Sequence, residues 1–381
     1  MALLRGKTAI VGIGYAGLGS APNWTPIELA AKAAERALAD AGLKIEDIDG
    51  LCASTLYHLF PTLSLAEQLK ISPKWSNADM TGGSTFMAQV LQAALAIDAG
   101  LCTNVLILYG SAARSSRDIY GLIDMPALQA SYAPMLPLGA YALAAARHMH
   151  QYGTTRAHLA EVAVAARKWA QLNPDATLRD PLTIEDVLSA PMICDPLSRL
   201  DCCLVSDGGG ALIMTSTVRA RDLPQPPVYV LGVGEAHCHR DISQMPDLTT
   251  TSAVESGKRA YEMAKVSPRD IDVLQLYDAF TILPILFLED LGFCKKGEGG
   301  PFVAGGAIAP GGKLPVNTNG GGLSFAHPGM YGLFALHEAC IQLRGQGGDR
   351  QVKSPTIGLA HGNGGYLSHQ ATAILGTAGA L

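Results

Sequence analysis

Two segments of this 381-residue chain follow the same plan. An apolar strand ending in glycines, residues 8–14, precedes a helix opened by Pro26 and an acidic connector into a second strand. Residues 228–234, 256–264 and 269–275 repeat that order. At one fixed offset Arg36, Ala37, Ala41, Asp47, Ile48 and Asp49 match Arg259, Ala260, Ala264, Asp270, Ile271 and Asp272. Agreement through helix, connector and strand marks a duplicated βαβ-type unit, in which helices cover a sheet. The expected fold is α/β in two halves, and the chain is longer than one usual core requires.

The halves continue in parallel. Residues 82–100 read as a glycine turn and a long Ala-rich helix, followed by a strand at 105–109. The later counterpart is a glycine stretch at 317–332, a helix at 333–343, a strand at 356–360 and a glycine loop at 361–366. Residues 113–200 form a mostly helical insertion, with one helix over 159–172, and a buried strand at 202–214 closes the first half. Prolines and charges at 217–227 set the boundary, giving halves 1–217 and 218–381.

Composition narrows the function. Hydrophobic content of 48% against 16% charged residues indicates a well-buried soluble protein. A net charge of −5 gives no support for nucleic acid or an anionic membrane as partner. The N-terminus lacks a signal-peptide pattern and no apolar run is long enough to span a membrane. The eight cysteines are scattered without CxxC spacing, which reads as reduced thiols of a cytoplasmic protein. His237-Cys238-His239 has the look of a metal cluster, since alternating residues on a strand can chelate, but without further ligands it reads as a surface loop, and no metal is expected.

The stretch 317–332 carries the chemistry most visible by eye. Gly320, Gly321 and Gly322 let the backbone approach a ligand, and His327 and Tyr331 follow on a short loop opening a helix. That helix N-terminus is expected to face an anionic or polarised group. A structural glycine turn has the same appearance.

The whole pattern resembles the thiolase superfamily. The paired halves, the glycine turn feeding a central helix, the insertion and the His327-Pro328-Gly329 loop carry the likeness. Residues 195–208, 277–280 and 361–365 are most similar to the sterol-carrier/lipid-transfer type, and to its Cys-less aldolase-like branch. The resemblance implies duplicated βαβαβ halves in a five-layer α-β-α-β-α arrangement. A thiolase carries its acyl group on a cysteine at the start of the central helix; here Gly83 or Ser84 occupies that place. His361 stands where the second, acid/base cysteine belongs, and Tyr277 replaces an oxyanion-supporting Asn or His. His327 matches a histidine that helps bind the thioester oxygen.

A thioester enolate without an acyl-enzyme points to aldol cleavage: a β-hydroxyacyl-CoA loses a ketone, and the enolate is stabilised and protonated. On this reading Tyr277 and Tyr331 are the proton-transfer pair, His327 and His361 support the enolate or relay the proton, and Asp278 orients a neighbour. Gly83, Ser84, Asn319 and Gly364 are the candidate oxyanion and substrate contacts. A buried strand-end phenol at Tyr277 and a core histidine at 361 stay open, and Asp195 and Asp207 read as structural carboxylates.

The resemblance also implies a homodimer that buries the central helix, and a small OB-fold, zinc-ribbon partner protein. Coenzyme A enters as part of the substrate, with no bound cofactor. Tyr120, Met125, Tyr132, Met135 and Tyr141 are expected to line the roof of a pocket for a bulky ring system, and Arg114, Arg117 and Arg167 to meet the CoA phosphates. Two further readings stand beside the lyase. One is a thiolase-like acyltransferase or Claisen enzyme, acetyl-CoA acetyltransferase-like, in which Ser84 or a nearby cysteine stands in for the lost nucleophile. The other is a non-catalytic lipid- or acyl-CoA-binding subunit.

Overall fold

The structure is a computed structural model that describes residues 4–55, 58–116, 131–132 and 135–381. In the first half β1 (Thr8–Gly19), α1 (Pro26–Ala41), β2 (Gly50–Ser54), α2 (Pro61–Leu69), β3 (Trp75–Ala78), α3 (Thr85–Asp98) and β4 (Asn104–Ser111) precede the insertion. The insertion contributes α4 (Leu138–Tyr152) and α5 (Arg156–Gln171), and β5 (Asp207–Ser216) returns to the sheet. The second half holds β6 (Val228–His237), α6 (Ala253–Ala264), β7 (Val273–Leu276), α7 (Ile282–Asp290), α8 (Gly332–Leu343), β8 (Ile357–Gly364) and β9 (His369–Gly376).

Local chemistry explains the repeated helix. Thr25 caps α1 in a reciprocal box with Glu28, and Gly42 ends it in a left-handed turn at φ 66°. The buried face is nearly all alanine (Ala30, Ala33, Ala34, Ala37, Ala41), so the helix lies close on its sheet. That closeness requires glycine beneath it: a Cβ on Gly14 would strike the Ala33 carbonyl, and one on Gly234 would strike the Ser256 carbonyl. Arg36 donates to the Tyr15 carbonyl (2.5 Å) as Arg259 does to that of Glu235 (2.6 Å). The internal repeat is therefore preserved at atomic level.

Among the described residues the main sheet runs β3-β2-β4-β5-β1-β6-β9-β8-β7. From the centre outward each half has two antiparallel neighbours and then parallel ones. The parallel bridge Leu274↔Val316 stands where β3 pairs with β2. Among the described residues the sheet joins the two halves through the pairs Ala9↔Tyr229 and Ile10↔Val228. With α1 and α6 outside and α3 and α8 packed between the halves against strands of both, the layers are α-β-α-β-α.

The central helix is buried within a single chain. Phe86, Met87, Val90, Ala93 and Ala94 of α3 have essentially no exposed surface, so its burial needs no dimer interface. A second difference lies at 361–366. The glycine-rich run, expected to be a loop, continues β8 to Gly364 and pairs residue by residue with β9. Backbone pairing with His369–Gly376 outweighs the weak strand preference of glycine.

Candidate active site

β7 ends at Leu276 and delivers Tyr277 to the floor of a cleft of about 530 Å³. The turn before α3 (Gly82, Gly83), the end of β8 (Asn363, Gly364), His327 and Tyr141 of α4 surround it. Ile193, Leu204, Val205, Phe280 and Met330 make most of the remaining wall apolar. This size and lining suit a bulky apolar ligand held by a few polar groups.

The Tyr277 hydroxyl oxygen is 2.9 Å from His327 Nε2, and the two rings meet edge to face at 5.5 Å. Both side chains are buried. Burial raises the Tyr277 phenol well above its usual range and lowers His327 to about 4, so both groups are neutral near pH 7. The histidine is fixed from behind: its N–H donates to Ser206 Oγ (2.9 Å) and its carbonyl accepts from the Ser206 N–H (3.3 Å). The Tyr109 hydroxyl, at the end of β4, donates to the Pro328 carbonyl.

Of the candidate catalytic and substrate-contact residues, the structure brings Tyr277, His327, Gly83 and Gly364 to the cleft. Tyr331 lies behind Tyr277, its ring 5.9 Å away, with no exposed surface and its hydroxyl donating to Asn319 Oδ1 (2.8 Å). Tyr331 and Asn319 are therefore support, not contacts. Asp278 is wholly buried and accepts from the Gly322 N–H (2.6 Å), pinning the π-helical turn Gly321–Phe325 that leads to His327. Burial lifts its carboxyl to about 7 against those hydrogen bonds. Gly332, the first residue of α8, abuts the Gly83 carbonyl, so that helix start does not open onto the cleft as expected.

His361 is displaced for a definite reason. Inside β8 its ring faces Phe287 of α7 at 4.4 Å, and both nitrogens are engaged, Nδ1 with Thr372 Oγ1 (2.8 Å) and Nε2 with Gln370 Oε1 (3.0 Å). Burial lowers it to about 3. It is a neutral core histidine. Ser84 also faces away: its hydroxyl donates to the Thr81 carbonyl (3.1 Å) and lies 2.9 Å from His369 Nδ1, whose Nε2 is 3.6 Å from Glu235. Neither His361 nor Ser84 lines the cleft.

The expected roof and phosphate contacts are largely replaced. Tyr141 lines the cleft, whereas Tyr132 and Met135 are exposed, and Tyr120, Met125 and Arg117 lie outside the described residues. Arg167 is buried, donating to Ser324 Oγ and the Asp180 carbonyl, so it serves the fold. Arg114 is exposed and does not line the cleft. Asp207 accepts from the backbone of Ala21, Arg114 and Ser115, a structural carboxylate as read.

Three contacts were missed. Arg199 lines the cleft and is exposed. Cys203 lines it too, its thiol pushed up by burial. Asn363 donates to Tyr141 Oη (2.9 Å), accepts from Gln370 Nε2 (2.7 Å), and has a second amide hydrogen. Two-residue alternation from His361 was the available signal for Asn363, had the segment been read as a strand.

Residues 234–377 match the family described as thiolase C-terminal domain-like. A steroid side-chain-cleaving aldolase of Thermomonospora curvata is 35% identical, over 91% of this chain and 92% of that protein. The 17-hydroxy-3-oxo-4-pregnene-20-carboxyl-CoA lyase of Mycobacterium tuberculosis is 33% identical, over 94% of this chain and 96% of its own. Among solved structures, an Ltp2-ChsH2(DUF35) aldolase aligns with a TM-score of 0.89 and 33% identity, covering 98% of this chain and 99% of that one.

Proposed function

The chain belongs to the thiolase superfamily, among its steroid side-chain-cleaving aldolases, and from that footing we propose that it cleaves a bulky, steroid-like β-hydroxyacyl-CoA to a ketone and a shortened acyl-CoA. The observation that carries this reading is the neutral Tyr277–His327 pair in an apolar cleft.

The β-hydroxyl proton passes to Tyr277 as Tyr277 gives its own proton to His327 Nε2. The electrons of the Cα–Cβ bond move onto the thioester, leaving an enolate and a ketone, and the relay then returns one proton to Cα. A free phenolate, which burial disfavours, never forms. The enolate and imidazolium arise together, so no net charge is created in a low-dielectric site. The second amide hydrogen of Asn363 serves the thioester oxygen. Tyr331, Asn319 and Asp278 hold the pair in place. Coenzyme A enters as part of the substrate.

An acyl-transfer reading would need an activated nucleophile in the cleft; the Ser84 hydroxyl does not line it, and burial holds the Cys203 thiol that does line it away from the thiolate form. We further propose that the protein works as a homodimer and with a small OB-fold, zinc-ribbon partner. The DUF35 protein named with the aligned aldolase supports a heteromeric assembly.

The test is product analysis by mass spectrometry. A branched β-hydroxyacyl-CoA is supplied with and without an OB-fold partner, beside a 3-ketoacyl-CoA with free CoA. Ketone and shortened acyl-CoA from the first sample alone are expected. Shortening only of the ketoacyl substrate would overturn the lyase.

A further inference from the structure

We propose that Gly83 selects the reaction: its missing side chain is the space that the Tyr277 ring occupies, so position 83 can bear a side chain only if position 277 gives up its phenol. A Cβ built on Gly83 would overlap Tyr277 Cε2, far inside van der Waals contact, and lie 2.6 Å from Cζ and 2.9 Å from the Asn363 carbonyl oxygen. Real Cβ atoms do not approach that closely.

Both sides are held by packing. Tyr277 is boxed in by His327 and Tyr331, with ring centroids 5.5 and 5.9 Å away. The Gly83 backbone is wedged from behind, since Gly332 abuts its carbonyl and Gly362 faces the same oxygen. Ser84, one residue on, projects toward His369 and offers no alternative. The start of α3 is therefore sterically closed to a nucleophile while the phenol is in place. Acyl-carrier chemistry and phenol chemistry exclude each other at this pair.

The acyl-carrier form is testable without the lyase reaction. In Gly83→Cys/Tyr277→Asn a thiol gains room in the cleft. With acetyl-CoA its sulfur attacks the thioester carbonyl, the C–S bond to CoA breaks and the thiol proton leaves with CoA, giving an acetyl-cysteine adduct and free CoA. Intact-protein mass spectrometry reads the adduct.

Two measurements decide the matter, and only the identity of the displaced reaction rests on the lyase reading. The first is a thermal double-mutant cycle. Gly83→Ala is expected to lower the melting temperature by about 3–6 °C in the native background and by roughly half of that or less on Tyr277→Ala, where the ring overlap is relieved and only the Asn363 carbonyl contact remains. Equal losses in both backgrounds overturn the proposal. The second is acylation: the double variant is expected to form the adduct at least tenfold faster than Gly83→Cys alone, and equal rates overturn the proposal. Wild-type inactivity on a β-hydroxyacyl-CoA would defeat the lyase reading and leave the steric cycle standing.

Discussion

The Tyr277 hydroxyl lies 2.9 Å from His327 Nε2, and burial keeps both groups neutral where solvent would let the imidazole titrate near its ordinary value. Removing one oxygen atom isolates the relay. Tyr277→Phe keeps the ring packed against His327 and Tyr331, so the fold is expected to lose only about 1 kcal/mol. The rate constant for ketone release is expected to fall by about 10²–10⁴-fold. Single-turnover kinetics beside a melting curve check both. A variant that cleaves within threefold of the native rate removes Tyr277 from the mechanism.

Burial also makes the protein's pH response specific. His327 is held at about 4, and His361 and His337 at about 3. Each binds a proton on unfolding at pH values where the native state does not. Their contribution is complete above about 6.5 and is lost as pH falls toward the folded values. Asp278 acts in the opposite sense. Its carboxyl is raised to about 7, so the native state keeps a proton that the unfolded chain has released, and this contribution disappears as pH rises through 7. Asn at this position keeps an acceptor for the Gly322 N–H and cannot ionise. The melting temperature of Asp278→Asn minus that of the native protein is therefore expected to become more positive from pH 5 to pH 8. A flat difference would show that Asp278 does not titrate there.

The fold was legible because the repeat is written in residues that packing cannot exchange. Ala37 and Ala260 lie over Gly12 and Gly232, where any larger pair would separate helix from sheet. The site was less legible, for geometric reasons. In a run such as His361–Gly365, glycines look like a loop, yet β9, a strand not identified from the sequence, pairs with it and turns His361 into the core. Whether Gly83 or Ser84 faces the cleft depends on the phase of a helix start, which residue type does not encode. Tyr331 and Tyr277 are both aromatic and polar, and only burial behind the first ring separates support from chemistry.

Ser84 gives that distinction a direct test. Its hydroxyl binds Thr81 and His369 outside the cleft. Ser84→Ala should cost about 1 kcal/mol of stability and leave ketone release within about threefold. A loss of a hundredfold or more per folded molecule would put the serine back in the reaction.

Arg199 is an exposed cation lining a largely apolar cleft, and the substrate carries phosphates far from its reacting carbon. Paired with a solvated phosphate, it is expected to contribute modestly to binding and little to chemistry. Arg199→Ala should raise KM by about three- to tenfold at unchanged kcat. The effect should vanish with an N-acetylcysteamine thioester, which has no phosphates. An equal effect on both substrates would remove Arg199 from phosphate binding.

Asn363 closes a hydrogen-bonded series that starts in the core: His361 Nε2 meets Gln370 Oε1 (3.0 Å), Gln370 Nε2 donates to Asn363 Oδ1 (2.7 Å), and Asn363 Nδ2 donates to Tyr141 Oη (2.9 Å). Because the Asn363 oxygen is taken by Gln370, its amide nitrogen is fixed as the end that faces Tyr141 and the cleft. That orientation is what a developing thioester oxyanion requires, and donors of this kind are worth about 10²–10³-fold in kcat. Asn363→Ala should reduce kcat by about that factor with a smaller change in KM. Gln370→Ala leaves the donor present but free to rotate, so its loss of kcat should be about tenfold. If the two variants lose stability but keep kcat per folded molecule, the series supports only the roof helix α4, and the thioester oxygen must be bound elsewhere.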